Sequence, residues 1–228
     1  MKLAIDIIAT AQAMNANGIN VGTSGNVSAR TRSGMLITPS GMDYQQLTPD
    51  DIVAMDFDTT WFATNNLRPS SEWRLHLGVL ERRPDINAVV HTHSTHATAL
   101  ATHSRGIPAF HYMVAVAGGH DIACAPYATF GTQQLSDNVI QALQGRRACL
   151  IAHHGVVALG VDLPSALQLA IQIEELAKQY MTALTVGEPP VIPDEEMDKV
   201  LAKMSRVGYG SAPEHDAGES SPVLHLDR

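Results

Sequence analysis

Two short apolar runs in this chain end abruptly in histidine. Residues 88–90, Ala-Val-Val, pass straight into His91-Thr92-His93, and residues 148–152 pass into His153-His154-Gly155. Runs this short, bounded by turn residues and helical stretches, read as buried strands rather than helices. Side chains alternate along a strand, so the spacing of His91 and His93 puts both imidazoles on one side, within reach of a single ion. His153 and His154 are adjacent and point apart, so only one of them can join the first pair. Three histidines from two strand ends make a zinc site of the catalytic kind, with positions left open for substrate. An HxH pair also arises by chance in a chain with 11 histidines, and the second strand end gives the first its weight.

Around these runs the hydrophobic periodicity alternates between helix and strand. Leu3, Ile7, Ala11 and Met14 predict a helix closed by a left-handed cap at Asn17-Gly18. A hairpin is expected around Ser33-Gly34, with two further short strands about the Asp58-Thr59-Thr60 turn. Pro69-Ser70-Ser71-Glu72 opens a helix with a serine as its cap and Trp73, Leu77 and Leu80 facing the core. Residues 107–117 and 120–125 are expected to be extended. Helices are predicted over 132–143, 163–185 and 194–206, the second started by Asp162 and Pro164. Strands interleaved with helices, together with hairpins, favour a mixed sheet with helices on both faces over a purely parallel one. No repeat or second composition regime divides the chain. One domain is expected over residues 1–206, followed by a mobile tail at 207–228.

The charge narrows the partners. With 23 acidic and 15 basic side chains in 228 residues, the net charge is −8, and no basic excess exists to neutralise nucleic-acid phosphates or an anionic membrane. Two cysteines, Cys124 and Cys149, make no disulfide framework. The start of the chain lacks the layout of a secretion signal, and a cytoplasmic location is expected.

Glu72 falls in the first turn of its helix, where a carboxylate stabilises the helix dipole whether or not it takes part in chemistry. His76 stands four residues on, either as a ligand partner of Glu72 or as an internal histidine with satisfied hydrogen bonds. Thr23-Ser24-Gly25-Asn26, Thr38-Pro39-Ser40-Gly41 and Ser70-Ser71 each read as turn or capping chemistry alone. Together they offer enough N–H and hydroxyl groups to cradle a phosphate without lysine or arginine.

The segments GTSGNVSAR, MLITPSGM, SSEWRLH, NAVVHTHSTH, IPAFHYMVAVAGG, CAPYATFGT and AHHG, in that order over residues 20–160, resemble the class II aldolase/adducin family. The resemblance implies a three-layer α/β/α fold with a central mixed, largely antiparallel sheet, and a homotetramer with active sites at subunit interfaces. It makes His91, His93 and His154 zinc ligands, and Glu72 both the fourth ligand and the catalytic acid/base. Gly25, Asn26, Ser40, Gly41, Ser70 and Ser71 correspond to the phosphate-binding segments. Tyr112 and Phe130 correspond to aromatic positions that place the aldehyde, the tyrosine at a neighbouring subunit's site. Tyr209 stands two residues out of register with the family's C-terminal tyrosine and takes its place over the aldehyde only on that alignment.

The implied activity is reversible, Zn2+-dependent cleavage of a ketose 1-phosphate: L-fuculose 1-phosphate to dihydroxyacetone phosphate and L-lactaldehyde, or the same chemistry on 5-deoxyribulose 1-phosphate. Family members that epimerise or decarboxylate phosphorylated sugars share the zinc histidines. Glu72 after two serines and the segment 127–132 favour the aldolase. A non-catalytic scaffold would have little use for the three histidines and Glu72 together.

Overall fold

The computed structural model describes residues 1–207. Its centre is the strand β5, Ala88–Thr92, every residue of which is buried. Val89 turns to one face of the sheet and Ala88 and Val90 to the other, each into a separate apolar cluster. A strand with two covered faces reads as a continuous apolar run, which is how this one appears in the sequence. Full burial of a valine contributes about 1.5–3 kcal/mol, so neither face tolerates a polar exchange.

Among the described residues, eight strands form one sheet. β1 (Asn26–Arg30), β2 (Gly34–Ile37), β3 (Val53–Asp56) and β4 (Trp61–Phe62) lie on one side of β5. On the other lie β8 (Gly155–Gly160), β7 (Ala148–Ile151) and β6 (Cys124–Ala125), giving the order β4-β3-β2-β1-β5-β8-β7-β6. All neighbours are antiparallel except β6 and β7. Helices α1 (Lys2–Ala16), α3 (Thr95–Thr102) and α5 (Leu163–Leu184) cover one face, and α2 (Trp73–Arg82) and α4 (Gln133–Ala142) the other. α6, Asp194–Arg206, adds Met197 and Met204 to the first cluster. This is the expected three-layer α/β/α arrangement with a mixed, largely antiparallel sheet. No helix among the described residues is long and apolar enough to cross a membrane.

Several local expectations hold. α1 ends at Asn17, with Gly18 left-handed at φ +70°. Thr132 caps α4 by accepting from Leu135 N at 3.2 Å, and Asp162 caps α5 by accepting from Ser165 N at 2.8 Å.

Others are corrected. The N-cap position of α2 is Glu72, not a serine, and its side chain makes no capping bond, although Ser70 Oγ accepts from Glu72 N at 3.3 Å. The cause lies in the neighbouring chain: Ser70 N donates to Thr38 O and Ser40 N to Arg68 O, both at 3.0 Å, so residues 68–70 are held as a bridge to 38–40 and the helix starts later. The same bridge joins the two segments that carry Ser40 and Ser70, both of which line one cleft. Residues 107–117 are not extended. Ile107 makes a single bridge to Ile122, and Tyr112–Ala117 is a 3-10 helix with Val114, Ala115, Val116 and Ala117 buried, ended by Gly118 at φ +89°. Burial of that small apolar face overrides its strand propensity. Of residues 120–125 only Cys124 and Ala125 join the sheet.

α3 and β8 are elements the sequence reading did not single out. α3 carries three threonines, poor helix formers. Its start is held from a distance: the Glu174 carboxylate of α5 accepts from the N–H groups of His96 (2.9 Å) and Ala97 (3.0 Å) and pairs with His96 Nδ1 at 2.7 Å. The tail from residue 208, Tyr209 included, lies outside the described residues.

Candidate metal centre and cleft

β5 and β8 are hydrogen-bonded neighbours, with His91 opposite Val157 and Thr92 opposite Val156. His91 is the penultimate residue of β5 and His93 follows its end, while His154 stands in the turn between β7 and β8. His153 is in the left-handed region at φ +55°, and this turn, rather than strand alternation, sends His154 toward the first pair and His153 to the outside. Gly155 permits the approach: a Cβ there would stand 2.4 Å from Thr92 O and 2.9 Å from His93 Cδ2.

The three imidazoles meet edge to face, with ring centroids 4.8, 4.9 and 5.0 Å apart and planes inclined by 77–79°. Glu72, at the start of α2, closes the group. One ligand atom from each of Glu72, His91, His93 and His154 lies within 4.8 Å of all the others. His91 Nε2 is 2.9 Å from His93 Nε2 and 3.0 Å from Glu72 Oε2, and His154 Nε2 is 3.3 Å from Glu72 Oε1.

Electrostatics suit this set to a divalent cation. Burial pushes His93 down to about 3 and His154 to about 4, and His91 adds to both shifts, so both rings are neutral near pH 7 with lone pairs available. Burial opposes the charge on Glu72, yet His91, His154 and Asn26 together hold its carboxyl well below the usual range. Burial likewise opposes a charge on His91, and Glu72 beside it raises its pKa all the same. The Glu72 carboxylate thus favours positive charge among the imidazoles, of the kind a bound cation would supply. Glu72 Oε1 is buried without a hydrogen-bond partner, which a cation would relieve. Three imidazole nitrogens and one carboxylate are a fitting donor set.

His76 is no part of it. Its ring is fully buried, bonded through Nδ1 to Ser28 Oγ at 2.7 Å and through Nε2 to Asn26 Oδ1. Of the two readings open for it, the internal histidine is the one observed.

Beside the metal group lies a cleft of about 420 Å³ lined by Gly25, Asn26, Ser40, Gly41, Ser70 and Ser71, all six residues expected at the phosphate. No lysine or arginine is among the described residues that line it. Phe130 stands at its mouth, 63% exposed. Tyr127 and His153 line it too, although the sequence reading gave neither a role; the left-handed turn that presents His153 has no local sequence signal. Tyr112 is not brought there within one chain. It is half exposed and lines another cleft, with Lys199, Lys203 and Met204 of α6.

The model for the class II aldolase and adducin N-terminal domain matches residues 5–181. The chain belongs to the class II aldolase and adducin family. Within this family it is 50% identical over 208 residues to an L-fuculose phosphate aldolase of Escherichia coli K12, covering 91% of this chain and 96% of that protein. It is 49% identical over 202 residues to a 5-methylthioribulose-1-phosphate/5-deoxyribulose-1-phosphate aldolase of Rhodospirillum rubrum, covering 89% and 90%. A solved structure titled L-fuculose 1-phosphate aldolase superposes with a TM-score of 0.86 at 40% identity, covering 90% of this chain and 96% of that one. The metal group and cleft lie inside the region matched by the class II aldolase model.

Proposed function

We propose that this class II aldolase uses zinc to cleave L-fuculose 1-phosphate reversibly to dihydroxyacetone phosphate and L-lactaldehyde. The observation that carries the reading is the convergence of Glu72, His91, His93 and His154 beside a cleft of hydroxyls and backbone N–H groups. His91, His93 and His154 would hold the ion, with Glu72 as a fourth ligand. A zinc ion there supplies Lewis-acid polarisation of the ketose carbonyl and the adjacent hydroxyl.

The chain's own residues do the rest. Ser40, Ser70, Ser71 and the backbone at Gly25, Asn26 and Gly41 hold the phosphate and so orient the reacting end. As the C3–C4 bond breaks, the C4 hydroxyl loses its proton and the distal fragment leaves as an aldehyde. Glu72, in its carboxylic-acid form, gives its proton to C3 and is left as the carboxylate, and in synthesis that carboxylate removes the same proton. Phe130 packs against the aldehyde end. Tyr112 faces away from its own cleft, which suits a role at the C4 hydroxyl in a neighbouring subunit of a homotetramer. Tyr209 is assigned to the aldehyde end on its alignment alone. The enzyme acts in the cytoplasm on a small phosphorylated sugar.

A second reading, the same chemistry on 5-deoxyribulose 1-phosphate, is supported by the nearly equal identity to the Rhodospirillum rubrum aldolase. A linked dihydroxyacetone-phosphate assay with both ketose phosphates on zinc-loaded protein separates them. L-fuculose 1-phosphate is expected to give the higher kcat/KM. Turnover of the deoxyribulose phosphate alone would replace the first substrate with the second.

A further inference from the structure

Behind Glu72 a line of side chains runs into the core. Asn26 Nδ2 donates to Glu72 Oε2 at 3.1 Å, Asn26 Oδ1 faces His76 Nε2, and His76 Nδ1 faces Ser28 Oγ at 2.7 Å. Asn26, Ser28 and His76 are all buried, Ser28 and His76 completely. Glu72 and His76 sit one turn apart at the start of α2, while Asn26 and Ser28 sit two residues apart on β1. The line therefore ties the first turn of α2 to one face of β1.

Proton positions along it are determined by the chemistry of its ends. A carboxylate only accepts, so Asn26 presents its NH2 to Glu72 and its carbonyl oxygen to His76. That oxygen only accepts, so His76 carries its proton on Nε2. His76 Nδ1 is then the acceptor, and Ser28 must donate its hydroxyl proton to it. Burial, followed by the repulsion of His91, pushes the His76 pKa down to about 3, so the ring is neutral and has a single proton to place. Every polar side-chain atom of His76 is thereby used, on Asn26, which lines the cleft, and on Ser28, which does not.

We propose that Ser28 and His76 are positioning residues that fix the Glu72 carboxylate through the side chain of Asn26. They fix which oxygen of Glu72 is held: Oε2 is tethered by Asn26, while Oε1, 3.3 Å from His154 Nε2, makes no hydrogen bond among the described residues and is the oxygen left to the ion or the proton. The Asn26 side chain belongs to this line, and only its backbone remains for the phosphate. The inference rests on the reading of Glu72 as the group that moves the C3 proton.

Two measurements test it. In metal-free protein, nitrogen-15 NMR of the imidazoles should find His76 solely as the Nε2–H tautomer; the Nδ1–H tautomer would overturn the proposal without any variant or turnover. In zinc-loaded protein, Ser28→Ala should lower kcat about 10- to 100-fold, with the KM for the ketose phosphate unchanged and the zinc content retained. Ser28→Thr, which keeps the hydroxyl, should restore most of the loss. A raised KM at unchanged kcat would place Asn26 on the phosphate instead, and wild-type kcat and KM in Ser28→Ala would remove Ser28 from the machinery. If the wild type turns over neither ketose phosphate, the proposed substrates fail, while the tautomer still decides the line of contacts.

Discussion

His91 Nδ1 donates to the backbone carbonyl of Val156 at 2.8 Å, so a strand neighbour, and not the metal group, decides which ring nitrogen carries the proton. The carbonyl only accepts, so Nδ1 keeps its proton and Nε2 is the nitrogen turned toward His93 and Glu72, available to an ion once its own proton is given up. A ligand whose tautomer is set by the backbone ladder stands ready before any ion arrives.

Such a preformed site should bind about one zinc per chain. Chelation is expected to lower the melting temperature, and zinc added back at 1,000 times its Kd should restore about 4 kcal/mol of stability. Atomic absorption and calorimetry check both. A melting temperature indifferent to chelator would argue against ion binding by this group.

Glu72→Gln removes the group assigned to the C3 proton while keeping the side chain's shape. It should reduce exchange of that proton on dihydroxyacetone phosphate by about 10²–10⁴-fold in deuterated buffer. Exchange at the wild-type rate would take the proton-transfer role from Glu72.

Glu174 satisfies two N–H groups at the start of α3 from a helix far away in sequence. Glu174→Ala leaves those donors without a partner, and urea unfolding should show a loss of about 1–3 kcal/mol. Glu174→Gln, which keeps an acceptor, should lose less. Equal losses in the two variants would show that the charge, and not the cap, matters.

His120 ties the approach to β6 onto α6, with Nε2 2.8 Å from Asp198 and Nδ1 3.3 Å from Asp194. The bond to Asp198 above all, then that to Asp194, raises its pKa from 6.5. A raised folded-state value contributes stability that is complete below the unfolded value and is lost as pH rises through the folded one. Exchange protection of α6 amides, corrected for intrinsic rates, should therefore fall as pH climbs from 6.5 through the raised value, and His120→Asn should abolish that dependence. A profile shared by the variant would exclude His120 as its source.

Much of this centre could be read from the sequence because its ligands follow a fully buried strand. The β5 run leaves no other reading, and alternation places His91 and His93 together. At His153 and His154 only one joins the group, as expected, but the strand has already ended there and a left-handed residue directs the turn. Other departures share one physical cause, a partner distant in the chain. The start of α2 is set by the bridge between residues 38–40 and 68–70, α3 depends on Glu174, and residues 112–117 coil because their small apolar face is buried. Tyr112 is a further case, since one chain gives it no place in the cleft.

The imidazoles stand on or beside two hydrogen-bonded strands at the middle of the sheet, whereas Tyr127 and Phe130 stand on a connecting segment with their rings largely in solvent. A change at Tyr127 or Phe130 breaks no ladder bond and opens no core. A change at residues 89–92 or 155–159 disturbs both strands and both apolar layers. The mouth of the cleft can thus be remodelled freely while its floor resists alteration, so different aldehydes can be admitted over an unaltered set of ligands.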